Sequence, residues 1–279
     1  GLFGLKPSRG RTPWGPQFSE AMHGAAMQHV LCKTVRDSAA MLDAVQGPEQ
    51  TSLFVIQSPN QKYLDVIQQM PKKLTIAFNT QSPIGTKVSK DAIQAVQQTA
   101  TLLESPAHIV VEDRPQINGL EVAKYFVTTW FSQFSYMQAQ IKHMSGATDE
   151  DFELDSNALA AFGAKTTATD YIHTLENWGM YSTQMNIFFE QYDLYLTPTT
   201  ASVAPQNGEV AMPSWQKPIL KGFLKVGKAH YLAQGKLVEK MVQENLSWVP
   251  FTQLANVTGL PAMSVPLYWN KNGLPLGSQ

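Results

Sequence analysis

The chain has 279 residues, 43% hydrophobic and 15% charged, with a formal net charge of −1. So few charges mean that much of the chain is buried, and the length suits one large α/β domain or two ordinary ones. A near-neutral balance without a basic stripe excludes a nucleic-acid partner, and no apolar run approaches the roughly 20 residues of a membrane helix.

The opening run GLFGL (1–5) is small and apolar, and a basic, Gly- and Pro-rich stretch follows at once. It reads as the inside of a buried element. Segment 27–47 reads as a loop followed by a helix that Thr34 is placed to cap, with Asp37 at the third helical position. Val35, Ala39, Leu42 and Val45 form its apolar stripe, and Gly47-Pro48 stops it. Residues 48–70 read as a surface connection with a short helix near 61–69.

Leu74–Phe78 is a short apolar run, fit for a central strand. Ser89–Glu104 follows as a helix with Ile93, Val96, Ala100 and Leu103 on its buried side. Strand 108–113 completes a β-α-β unit, so parallel pairing is expected. Residues 119–144 form a long helix rich in aromatic residues. Asp155 or Ser156 caps a short helix ending near Gly163, and Thr169 opens another long one through Phe189.

A strand over 193–197 then opens into a Pro-containing loop. Residues 222–246 read as helix, and 251–257 as one or two turns closed by Gly259. AMSVPLYW (262–269) is a strand, NKNG (270–273) a turn with Gly where positive φ is expected, and LPLGSQ the start of another strand. Strands alternating with helices predict one α/β domain with a mixed sheet flanked by helices on both faces.

G-x-S-x-G is missing from the sequence, so the α/β-hydrolase elbow is not the framework. Lys6 lies two residues from Ser8, and a neutral, buried lysine can activate a hydroxyl. The plainer reading, adopted here, makes Lys6 and Arg9 solvated loop charges and Ser8 a turn residue. Cys32 lies three residues from His29. A thiol can be activated by an imidazole, but an unpaired Cys is more often a small buried residue. His23, His29, His108, His143, His173 and His230 are scattered, and Asp149–Asp155 lacks EF-hand spacing, so no metal or cofactor is expected. GLKPSRGR lacks the Lys-Ser/Thr of a phosphate loop, and Pro7 removes an N–H such a loop needs. Tyr125, Phe126, Trp130, Phe131, Phe134 and Tyr136 fall on several faces of their helix. Such a helix is buried on more than one side, and it can wall a pocket as well as a core.

Taken together, GLFGLKPSRGR, HVLCKTVRDSAAMLDAVQGPE, YDLYLTPTT (192–200), PFTQLANVTGLPAMSVPL (250–267) and NGLPLGSQ resemble the amidase signature hydrolases, in order and over essentially the whole chain. Ser8 in GLKPSRGRTP is similar to the 6-aminohexanoate-cyclic-dimer hydrolase-like members. The resemblance implies amide hydrolysis by a Ser–cis-Ser–Lys triad, with backbone N–H groups holding the oxyanion. In the family these residues precede the segment matched by Gly1, so no catalytic residue is carried over. The expectation is a portion of one amidase signature domain, inactive alone, with Trp130, Phe131, Phe134, Thr197 and Thr199 as pocket wall. A non-catalytic ligand-binding module is the alternative. A small-molecule amide is the expected substrate, with no nucleic acid or membrane partner. A homo-oligomer through a bare sheet edge and a cytoplasmic location suited to the lone Cys32 complete the expectation.

Overall fold

A computed structural model describes residues 1–105, 108–209, 212, 214–228 and 236–279. Its strands are β1 (Phe3–Lys6), β2 (Leu31–Cys32), β3 (Thr75–Phe78), β4 (Ile109–Glu112), β5 (Leu194–Leu196), β6 (Ala262–Trp269) and β7 (Pro275–Ser278). Its α-helices are α1 (Val35–Val45), α2 (Tyr63–Val66), α3 (Lys90–Glu104), α4 (Gly119–Ser145), α5 (Leu154–Gly163), α6 (Ala168–Phe188), α7 (Gln216–Lys225), α8 (Lys236–Leu246) and α9 (Gln253–Thr258).

One half of the sheet is antiparallel, in the order β2-β1-β6-β7, and the other is parallel, in the order β4-β3-β5. The halves join where the chain leaves β5. Thr197 and Gln279 exchange backbone hydrogen bonds of 2.9 and 2.7 Å, and the Thr199 N–H donates to Gly277 O at 3.0 Å. The result is the expected mixed sheet.

Period-two alternation decides what covers it. Ile76 and Leu196 pack on Val96 and Ala100 of α3, while Ala77 and Tyr195 pack on Met185 and Phe188 of α6. Both Ile76 and Ala77 are fully buried, so helices shield the parallel half on both faces. α3 also lies over the seam: Ala92 and Ala95 meet Leu276, and Thr99 Oγ1 meets Ser278 Oγ at 2.9 Å. Its buried side is therefore Ala92, Ala95, Val96, Thr99 and Ala100, with Ile93 and Leu103 only half-buried. Small side chains let the helix sit close across two sheet halves, which the larger apolar residues would prevent.

Local capping explains most element starts. Thr34 accepts from the Asp37 N–H at 3.0 Å and Ser89 from the Ala92 N–H at 3.2 Å. In α1 only the middle of the expected stripe is covered, since Val35 and Val45 are exposed at the two ends. α6 begins one residue early because Thr167 and Asp170 form a reciprocal capping box. α5 starts at Leu154 behind Glu153, without a side-chain cap, so neither Asp155 nor Ser156 caps it. The acidic run is used elsewhere: Thr148 and Asp151 cap a separate 3₁₀ turn, and Asp149 pairs with Lys142. The helix expected over 222–246 is described as the end of α7 and as α8, with Gly227 at φ 69° after α7. Residues 229–235, His230 among them, lie outside the described residues.

The aromatic helix α4 is buried on more than one side, as its pattern implies. Ala123, Val127 and Phe131 pack on Ile84, Val242 and Leu246, while Val122 packs on Trp178, Tyr181 and Val257. No described helix is long and apolar enough to cross a membrane.

Candidate binding site at the carboxyl ends of the parallel strands

Lys6 and Arg9 are not solvated loop charges; both are half-buried, Lys6 at the end of β1 and Arg9 against the end of α9. The Lys6 ammonium donates to Pro7 O at 3.0 Å and makes no bond to Ser8. Burial first, and Arg9 second, push its pKa down to about 8. A lowered lysine pKa favours the neutral amine in the fold. Below about pH 8 the fold therefore carries the cost of burying a charge. Between about 8 and the ordinary 10.5 the unfolded chain binds more protons, so stability rises with pH across that window. Lys6→Met is expected to remove this rise, which urea melts of both proteins at the two ends of the window will show.

Arg9 is a clamp. Its Nε donates to Gly24 O at 3.0 Å, and its Nη2 to Val257 O at 2.8 Å and to Asn256 O at 3.4 Å. The guanidinium also lies 5.5 Å from the Phe54 ring centroid. His29 and Cys32 do not pair: Cys32 Sγ donates to Thr34 O at 3.1 Å, while His29 Nε2 meets Ser38 Oγ at 2.9 Å. Cys32 itself is half-buried.

The five pocket-wall residues fall in three places. Phe131 is buried against Phe162, 5.4 Å between ring centroids, with Trp130 stacked on Phe131 and Phe134 edge-on to Trp130. Thr199 lies in the sheet seam, its Oγ1 2.8 Å from Ser264 Oγ. Thr197 alone of the five lines a cavity of about 440 Å³.

That cavity opens where β3, β4 and β5 end. Ligands of α/β sheets bind outside the carboxyl ends of their strands. Asn79 follows β3: its N–H donates to Leu196 O at 3.0 Å, and its Oδ1 accepts from the Gln81 N–H at 2.8 Å. Arg114 follows β4 and donates from Nη1 to Gln81 Oε1 at 3.1 Å. The turn carrying it is held by Asp113, which accepts from the Tyr192 hydroxyl at 2.6 Å and the Arg114 N–H at 2.8 Å. These bonds keep the Asp113 carboxyl below its ordinary range. Tyr195 and Thr197 come from β5 and its continuation. Burial pushes the Tyr195 hydroxyl up, so it stays a donor. α9 supplies Gln253, whose Nε2 donates to Val249 O at 2.9 Å while its buried Oε1 has no partner among the described residues. Sequence reasoning passed over Asn79, Gln81, Arg114 and Gln253. The signal was positional: FNTQ and EDRPQ are the polar steps directly after two strands.

A mixed sheet with helices on both faces, and a polar cavity at the strand ends, define an α/β protein with a cavity in the place where such sheets hold small molecules. The chain belongs to the Amidase family, whose model matches residues 1–279. A lipoamidase of Enterococcus faecalis is 29% identical over 286 residues, covering 100% of this chain and 36% of the relative. A 6-aminohexanoate-cyclic-dimer hydrolase of Pseudomonas sp. (strain NK87) is 25% identical over 289 residues, covering 100% of this chain and 55% of the relative. The solved structure of 6-aminohexanoate cyclic dimer hydrolase complexed with substrate superposes with a TM-score of 0.83 at 25% identity, over 100% of this chain and 56% of that chain. The chain thus spans roughly a third to just over half the length of these relatives.

Proposed function

We propose that the protein works in hydrolysis of amide C–N bonds, and that residues 1–279 contribute a substrate-facing part of a single amidase domain rather than its nucleophile. The observation that carries this reading is the family match along the whole chain. The side chains support the second half of it. Ser38–His29 is the one serine–imidazole pair at hydrogen-bond distance among the described residues, and Ser38 is 2% exposed. No described lysine reaches a serine hydroxyl. A lone, unpaired Cys32 suits the reducing cytoplasm.

The test is an amidase assay of the 1–279 polypeptide on linear and cyclic amides. No turnover above blank is expected. Turnover that disappears when a residue within 1–279 is mutated overturns the reading. The cavity at the strand ends favours a second reading, a ligand-binding module without chemistry. Calorimetry separates the two: saturable binding of an amide with negative heat-capacity change supports the module, and silence supports a wall that works only within a larger enzyme.

A further inference from the structure

We propose that two copies of the chain pair through the outer edge of β4, antiparallel about a twofold axis at Val110, so that the parallel half-sheet runs on from one subunit into the next. The proposal is independent of the amide reading.

β4 is an edge strand: among the described residues its one neighbour strand is β3. The Ile109 N–H donates to Leu74 O at 2.8 Å and the Asp113 N–H to Phe78 O at 3.1 Å, so the odd-numbered positions turn their backbone groups toward β3. The positions between them face outward. Val110 and Glu112 therefore offer N–H and C=O groups to a further strand, with His108 in phase just before β4. The side chains alternate as well. Val110 lies opposite Ile76 and joins the cluster under α3. Ile109 and Val111 stand on the other face, 46% and 40% exposed. Lys and Pro, the common guards of a free edge, are missing from the strand IVVE.

The sequence around Val110 is its own complement. Antiparallel pairing needs outward positions opposite outward positions. Setting Val110 opposite Val110 of the partner subunit meets that need. It places Ile109 against Val111 of the partner subunit as a close non-hydrogen-bonded pair, and His108 against Glu112 of the partner subunit. The Leu74 N–H donates to His108 Nδ1 at 3.1 Å, which puts the ring proton on Nε2. Glu112 is exposed and enters no ion pair among the described residues. An N–H donor thus meets a free carboxylate on either side of an apolar centre. A slip of one residue sets outward groups against inward ones. A slip of two sets His108 or Glu112 against Val110 of the partner subunit. The twofold pairing also closes on itself and leaves no β4 edge for a third chain.

Sedimentation from about 1 to about 200 μM protein is expected to show a monomer–dimer equilibrium. Ile109→Lys, at an exposed position, puts a charge into the apolar centre. It is expected to weaken the dimer about tenfold or more while its urea melt stays near that of the parent. Leu31→Lys, on the strand at the opposite edge of the sheet, is expected to leave the dimer unchanged. Disulfides in a Cys32→Ser background read the register. Under oxidation a mixture of Ile109→Cys and Val111→Cys proteins should form a covalent dimer about tenfold faster than either alone, since close cross-strand pairs lie about 4.5 Å apart at Cα and diagonal ones about 7–8 Å. A parent that stays monomeric, a dimer untouched by Ile109→Lys, or a mixture that crosslinks no faster than its components overturns the proposal.

Discussion

Gly163→Ala is expected to destabilise the protein by about 3 kcal/mol, where the same change inside most helices stabilises by up to about 1 kcal/mol. Gly163 ends α5 where it crosses α4, and a Cβ added there falls on the carbonyl of Phe131, with Ser132 N only 2.7 Å away. Both are backbone of a long helix packed on several sides, so neither can yield cheaply. Gly179 is the internal control. It lies within α6, and an added Cβ there meets nothing within 4 Å. Gly179→Ala is expected to stabilise by about 0.5–1 kcal/mol. Urea melts of the two variants should move in opposite directions. A shared direction would mean that α4 and α5 do not cross this closely. Because Phe131 and Phe162 meet beside this crossing, Gly163 also sets the spacing of the aromatic cluster.

Arg9→Ala should cost about 3 kcal/mol, through the loss of charge-assisted bonds and the stranding of buried carbonyls. Two of the carbonyls it caps, Asn256 O and Val257 O, belong to α9, a few residues beyond Gln253 of the cavity wall. A cation at a helix carboxyl end is also favoured by the helix dipole. Gly24 and Gly259, both at φ 73°, leave room for the guanidinium, since a Cβ on either would touch the Arg9 side chain at 2.7 and 2.9 Å. Arg9→Lys is expected to recover less than half of the loss, because an ammonium cannot reproduce the planar fork. Thermal melts of the two variants check both statements. A Lys variant as stable as the parent would show that charge alone matters here.

What the sequence disclosed and what it hid divide by range. Thr34, Ser89 and Thr167 sit three residues before the group they bond, so their helix starts were readable within a few positions. Strand β3 was readable because Ile76 and Ala77 are apolar and covered from both sides. Gly259 closed a helix, as read, and Gly273 has the positive φ expected of its turn. The burial of Lys6 and Arg9 was hidden because the carbonyls around Arg9 come from as far away as Asn256 and Val257. The cavity was hidden for the same reason. Asn79, Arg114, Thr197 and Gln253 come from four separate segments, and nothing local to any of them announces the others. The motif resemblance carried family and fold without this information, since it compares whole segments rather than side-chain neighbours.

The seam between Thr197–Thr199 and Gly277–Gln279 also sets the order in which the molecule can assemble. β1 finds its partner in β6, Gly4 facing Ser264, and among the described residues the parallel half is tied in through β7 and Gln279. Each half-sheet thus has to wait for β6 and β7, far along the chain, before its neighbour can lock. Until then β5 and β1 present bare edges to whatever else is in reach. Such a chain folds late and slowly, dominated by closures that are distant in sequence, and its exposure to wrong pairing is greatest while it is still being made.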